Sequence, residues 1–346
     1  MPYVCPACHG DLTREDGDVR CRSCAAHFAL IDGEIPDFAG STTFFDDWWV
    51  QTPEQQERWL ALEGPKEEAF QRGLTQRYLL PLQRRLGYAP GEVALLSAGC
   101  GLAADVEALN DAGYATWGID CGNRVKLWSG RRHRDRLARA DLAQLPFPDG
   151  AFDVVLALDV LEHIGVVGDT TRVHADCEAQ RLAALRSLLR VTRPGGHVLL
   201  SGVNRRFPID PFHVQGVRFV RFHSPWEPFL LSYGDLVRLS RATGLVDWVR
   251  PLPLRGFFSY TTLGRHAALR PFLRVLDWLL GGLPAAVYGS WLSFFTIALV
   301  HRRDQPPGPS QPDQPPGPSH PIALAAGGDA EPRDRVPLGT NDSSRR

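Results

Sequence analysis

The chain has 346 residues, of which 44% are hydrophobic and 22% charged. That mixture excludes a fully disordered, collagen-like or coiled-coil chain, and the length allows about two domains. Lysine plus arginine number 38 and aspartate plus glutamate 39, so the net charge of −1 implies no strongly basic nucleic-acid binder. Lys66 and Lys126 are the only lysines, a bias that weakens any arginine-rich patch as a phosphate signal.

In chain order, the N-terminus shows no basic stretch followed by an apolar one, so no secretory signal is read. Seven cysteines, an odd count, point to a reducing cytoplasm and to metal ligation rather than disulfides. Four of them form Cys5-x-x-Cys8 and Cys21-x-x-Cys24, twelve residues apart. Two such knuckles supply four tetrahedral sulfurs about 2.3 Å from Zn²⁺, a closed and therefore structural site. About forty residues cannot bury enough apolar area to fold alone, so the metal would contribute on the order of 10 kcal/mol. Two disulfides or four free thiols are the alternative, and His9 could substitute as a ligand, although the four-cysteine set is complete. Residues 41–90 are polar with scattered aromatics and read as a few short helices.

From Val93 apolar runs alternate with helical stretches, the pattern of βαβ units. Strands are expected at 93–98, 114–119, 152–158 and 197–201, with a weaker one at 137–140. A helix is expected near 178–192, stopped by Arg193-Pro194-Gly195-Gly196. A helix near 234–243, a strand near 245–250 and a last strand at 294–300 follow. After the first strand comes Ser97-Ala98-Gly99-Cys100-Gly101, a turn that lets backbone approach a nucleotide closely. Asp120 ends the second strand, where an acid can bond both ribose hydroxyls. Asp141 stands twenty-one residues further on.

The segments LLSAGCGLA, WGIDCG, ADLAQLPFPDGAFDVVLALDVLEHI and LLRVTRPGGHVLLSGVNR resemble class I S-adenosylmethionine-dependent methyltransferases, especially the small-molecule, quinone-biosynthesis-like group. The resemblance covers about 93–204 and implies a Rossmann-like seven-stranded α/β sheet with helices on both faces. It implies that Gly99 and Gly101 line the methionine moiety, Asp120 holds the ribose, and Asp141 with Leu142 contacts the adenine. Leu158 and Asp159 would close the pocket. The family usually has an acid where Ser97 stands and a glycine where Ala103 stands; Ser97 can hydrogen-bond the cofactor's ammonium without a charge. An ordinary dehydrogenase fits worse, because the third glycine of its fingerprint is absent.

The cysteine run, with the turn Ile31-Asp32-Gly33-Glu34-Ile35-Pro36, resembles small zinc-ribbon partners of tRNA methyltransferases. Residues 1–40 hold seven acidic side chains against Arg14, Arg20 and Arg22. Such a module should repel a phosphate backbone and is better read as a docking or stabilising element. His163 and His213 are candidate bases toward the acceptor, and Tyr233 is a third option.

About forty residues separate the strand near 245–250 from the last strand, an apolar insertion at about 251–292. Residues 278–300 are uncharged for 23 residues, long enough to span a bilayer. Their glycines, Pro284 and the need for a final strand favour an apolar cap instead. A cap suggests an acceptor with a lipid, polyketide or aromatic portion, and Arg265, Arg270 and Arg274 allow peripheral membrane contact. From Asp304 the repeat DQPPGPSQP/DQPPGPSHP marks a Pro/Gly-rich tail, read as disordered, with protein docking through tail or ribbon as the alternative. The expected layout is thus ribbon 1–40, helical lead-in 41–90, methyltransferase domain 91–303 and tail 304–346. A small-molecule methyltransferase is the leading reading. A zinc-bearing RNA methyltransferase is the second, on the basic stretch 122–139, and an inert methyltransferase-like scaffold the third.

Overall fold

A computed structural model describes residues 3–15, 17–40, 52–62, 64–168, 170–213, 220–258, 275, 278–279 and 282–304. About half of the insertion (259–274, 276–277 and 280–281) and the tail from 305 on, together with 41–51 of the lead-in, lie outside them.

The first forty residues form strands β1 (Leu12–Glu15), β2 (Asp18–Cys21) and β3 (His27–Phe28), paired antiparallel, then a hairpin of β4 (Leu30–Ile31) and β5 (Ile35–Pro36). Asp32 and Gly33 make the hairpin turn at φ 49° and 70°, the left-handed region that Asp and Gly tolerate best.

Helices α1 (Pro53–Leu62), α2 (Gly64–Leu74) and α3 (Leu80–Arg85) follow, with a π-helical turn, Thr75–Leu79, between the last two. The sheet then builds from β6 (Ala94–Ala98), β7 (Ala115–Asp120), β8 (Leu137–Arg139), β9 (Phe152–Leu158), β10 (Thr192–Val203), a small hairpin of β11 (Ile209–Asp210) and β12 (Arg221–Phe222), then β13 (Val246–Pro251) and β14 (Phe295–Arg302). Among the described residues, seven strands pair in the order β13-β14-β10-β9-β6-β7-β8. β6 to β10 are parallel, and β14 runs antiparallel to both its neighbours. Leu95, Leu96, Val154, Val155 and Leu156 are buried, as expected for central strands covered on both faces. Helices α4 (Ala104–Asp111), α5 (Cys177–Val191) and α6 (Tyr233–Ala242) belong to that cover. The strand order reverses between β6 and β9, so the carboxyl ends of those two strands open a crevice.

The Arg193–Gly196 stretch, expected as a loop before a strand at 197–201, lies within β10. The helix ends at Val191, Thr192 already pairs with Phe152, and the glycines sit in an irregularity between Thr192 and His197. Residues 295–302 are strand, and among the described residues no helix is long and apolar enough to cross a membrane.

The cysteine module is seated on the edge of this sheet. Asp37 pairs in parallel with Arg139 of β8, Phe38 N–H donates to Arg139 O at 2.8 Å, and Val4 N–H donates to Pro146 O at 3.0 Å. Arg139 Nη1 donates to both Asp37 oxygens at 3.0 Å and to Gly40 O at 2.6 Å. Tyr3 packs between Phe38 and Phe147, and Ile35 is buried in one cluster with Cys100, Val106 and Trp128. Burying Ile35 contributes about 1.5–3 kcal/mol. An otherwise open sheet edge is thereby covered from within the same chain.

Candidate functional site

The glycine turn closes β6. Gly99 and Gly101 have φ of 80° and 53°, a region that suits glycine. A Cβ at Gly99 would lie 2.4 Å from Val160 Cγ2, so this glycine lets the turn after β9 come close. Gly99 N–H and Cys100 N–H both donate to Ile119 O, tying the turn to β7. Asp120 completes the tie: its Oδ2 accepts from Gly101 N–H and its Oδ1 from Gly122 N–H, both at 2.8 Å. Trp128 Nε1 donates to Gly101 O at 2.7 Å from beneath. From above, Gln71 of α2 donates to Cys100 O at 3.1 Å and accepts from Ala104 N–H at 2.9 Å. Glu67, one turn earlier on α2, pairs with Arg124 at 3.3 Å.

Ser97 is buried at the end of β6, and its hydroxyl donates to Asp105 Oδ2 at 2.5 Å. An acid from the first turn of α4 thus stands beside position 97. Asp105 is buried, its Oδ1 has no hydrogen-bond partner among the described residues, and burial pushes its carboxyl up to about 6. A buried carboxylate oxygen without a donor is a fit for a cationic group brought by a ligand. Ala103, where the family has glycine, adopts φ 59°, so the left-handed geometry persists with an alanine.

Asp141 caps a short 3₁₀ turn, accepting from Ala143 N–H at 2.8 Å, and burial raises its carboxyl. Leu142 packs into the main core beside it. Leu158 is half-buried at the end of β9. Asp159 follows at φ 55° and accepts from Ser201 Oγ at 3.2 Å. It reaches solvent, yet protein crowds its carboxyl, and this crowding together with the charge of Glu162 pushes it up to about 7.

His163 and His213, fifty residues apart, meet here with Nε2 atoms 3.4 Å apart. Burial, then the neighbouring His213, pulls His163 down to about 3. Burial opposes charge on His213, but the bond from its Nδ1 to Asp210 Oδ2, 2.9 Å, and the charge of Glu162 raise it on balance. Asp210 is buried and bonded at 2.7 Å by Arg221, which Glu227 in turn holds at 2.7 Å. Tyr233 is spoken for: its hydroxyl donates to Val249 O at 3.0 Å. Asp105, Gln71, Glu162 and Asp210 are the side chains that motif reading missed. An acid in the first helical turn after the glycine loop, and one beside His163, were the available signals.

In the ribbon, Cys5 Sγ lies 3.7 Å from Cys24 Sγ and Cys8 Sγ 3.5 Å from Cys21 Sγ, and all four sulfurs fall within 4.8 Å of one another. A tetrahedron with metal–sulfur bonds of about 2.3 Å has edges of about 3.8 Å. No disulfide joins them. The N–H groups of Cys24 and Ser23 point at Cys21 Sγ and pull its thiol down to about 6, favouring the thiolate a metal needs.

Residues 96–200 match the family model described as a methyltransferase domain. The chain is 29% identical over 172 residues to a probable S-adenosylmethionine-dependent methyltransferase of Mycolicibacterium smegmatis, an alignment covering 47% of this chain and 62% of that relative. It is 30% identical over 203 residues to a ubiquinone biosynthesis O-methyltransferase of Pseudomonas fluorescens, covering 55% of this chain and 77% of the relative. The chain belongs to the class I S-adenosylmethionine-dependent methyltransferases. A solved S-adenosylmethionine-dependent methyltransferase from Mesorhizobium loti aligns with 64% of this methyltransferase and 96% of its own chain, at 15% identity and a TM-score of 0.40.

Proposed function

We propose that this methyltransferase moves a methyl group from S-adenosylmethionine to an oxygen or nitrogen of a small-molecule acceptor with an apolar portion. The observation that carries the reading is Asp120. It ends the strand beside the glycine turn, and its two oxygens are already oriented by Gly101 and Gly122. When bound, the cofactor supplies an electrophilic methyl on a sulfonium. The residues that would hold it are Gly99, Gly101 and Asp105 toward the methionine end, with Ser97 orienting Asp105. Asp120 would hold the ribose, with Asp141 and the backbone of Leu142 at the adenine. Leu158 and Asp159 would border the acceptor. Methyl transfer is mostly a matter of alignment, and the acceptor also sheds a proton. His163 and His213 are the side chains offered to take that proton, His213 being the more basic of the two.

Four convergent cysteines support Zn²⁺ in the ribbon, where the ion would organise the fold rather than react. That role and the unpaired cysteines agree with a reducing, cytoplasmic setting. The acidic ribbon, seated on the sheet edge, supports intramolecular docking over a grip on RNA. The experiment is incubation of the protein with methyl-labelled cofactor and a metabolite extract from cells lacking the gene. Label in an organic-soluble product is expected; label in RNA would overturn the small-molecule reading.

A further inference from the structure

Apart from the ribbon cysteines, one group of metal-ligand side chains converges among the described residues: Glu162, His163 and His213, with one ligand atom from each within 4.8 Å of the others. Two different elements build it. Glu162 and His163 lie on the turn after β9, and His213 follows β11.

The surroundings hold each side chain in place. Arg181, buried on α5, donates to the carbonyls of Glu162, Ile164, Pro228 and Phe229 at 2.6 to 3.3 Å, which pins the first turn against the segment before α6. Asp210 engages His213 Nδ1, so Nε2 carries the lone pair and faces His163. A carboxylate behind a histidine in this way is the usual support of a metal-ligating imidazole. Here a second tier, Arg221 on Asp210 and Glu227 on Arg221, fixes the carboxylate in turn.

The two Nε2 atoms face each other at 3.4 Å, a contact that a proton on one of them or an ion shared by both would bridge. That distance is also what two imidazoles show when they share an ion at about 2.1 Å each. Glu162 brings a carboxyl: it is 2% exposed, and its Oε1 has no hydrogen-bond partner among the described residues. A buried carboxyl oxygen without a donor calls for a proton or a cation to compensate it. Closing all three ligands on one ion asks for side-chain shifts of about 1 Å or less.

We propose that Glu162, His163 and His213 bind one divalent transition-metal ion, distinct from the ribbon's zinc. Two imidazoles with a carboxylate select Mn²⁺, Fe²⁺, Co²⁺ or Zn²⁺ over Ca²⁺ and Mg²⁺. Three protein ligands leave coordination positions open, and solvent-exposed Asp159 stands at the same strand ends. The class of ligand such an ion would take is an ionisable oxygen, a phenol or enol of the acceptor. The ion would lower that oxygen's proton affinity; because it takes the lone pairs of His163 and His213, it replaces them as bases and the proton passes to solvent. The refinement to an oxygen acceptor rests on the methyl-transfer reading; the ion site does not.

The test is titration of Co²⁺ into the full chain with its ribbon preloaded with Zn²⁺, because the visible spectrum of Co²⁺ separates nitrogen–oxygen ligands from thiolates. One Co²⁺ per chain with nitrogen–oxygen character is expected. Glu162→Gln and His213→Ala should each weaken it at least ten-fold, while S-adenosylhomocysteine binding, followed in parallel, persists as the control for folding. If His213→Ala does not fold, the isosteric Glu162→Gln decides. No Co²⁺ uptake outside the cysteines, or wild-type uptake by the variants, overturns the proposal. Loss of cofactor binding by the wild type would instead refute the methyl-transfer reading and leave the ion site standing.

Discussion

Replacing Asp120 by alanine separates two roles that the carboxylate combines. In the structure each oxygen already accepts one backbone N–H, from Gly101 and from Gly122, at 2.8 Å. Each retains a further lone pair, so two ribose hydroxyls can add without displacing the amides. Charge-assisted bonds contribute about 1.5–3 kcal/mol each, an upper bound of about 3–6 kcal/mol for the pair. Water entering the alanine site returns part of this, leaving about 1.4–4 kcal/mol, roughly ten-fold to a thousand-fold in Kd. The same substitution strips two turn amides of their acceptor and should cost about 1–3 kcal/mol of stability. Asp120→Asn keeps one carbonyl acceptor and loses the charge, so it should regain more stability than affinity. Calorimetry with S-adenosylhomocysteine and thermal denaturation measure the two effects separately. If Asp120→Ala binds as tightly as wild type, the carboxylate does not hold the ribose and this crevice is not the cofactor's.

The raised carboxyl of Asp105 sets a pH dependence. An acid displaced from 3.8 to about 6 in the fold is favoured neutral there, so its contribution is fully present below pH 3.8 and is lost as pH climbs through about 6. The loss is about 3 kcal/mol; Asp105→Asn should therefore be more stable than wild type at pH 7, equal near pH 3.5, and poorer at binding the cofactor. Equal denaturation midpoints at pH 7 would contradict that. Arg139→Ala removes the grip on Asp37 and Gly40 and should weaken ribbon docking by about 1–3 kcal/mol, seen as faster amide exchange at Phe38; unchanged exchange would mean that packing alone holds the ribbon. Metal analysis should find about one Zn²⁺ in the ribbon, and Cys5→Ser with Cys24→Ser should release it and unfold residues 3–40 while the sheet persists. Retention of the ion by that double variant would refute the four-cysteine assignment.

The sequence by itself determined whatever is local or periodic. The seven strands of the main sheet emerged to within a few residues where apolar runs match the period of the element, as in Phe152–Leu158, whereas the hairpin β11–β12 did not. The glycine turn and the paired cysteine knuckles were legible because their chemistry needs fixed short spacings. Only the tertiary structure decided what depends on residues distant along the chain. Asp105 meets Ser97 because α4 turns back over the end of β6. His163 and His213, fifty residues apart, become neighbours because β9 and β10 are adjacent parallel strands whose carboxyl ends deliver their loops to one place. Asp37 meets Arg139, 102 residues away, because β8 leaves a sheet edge whose backbone groups need partners. No spacing rule encodes such pairs, since nothing in one segment's pattern records which segment will lie against it.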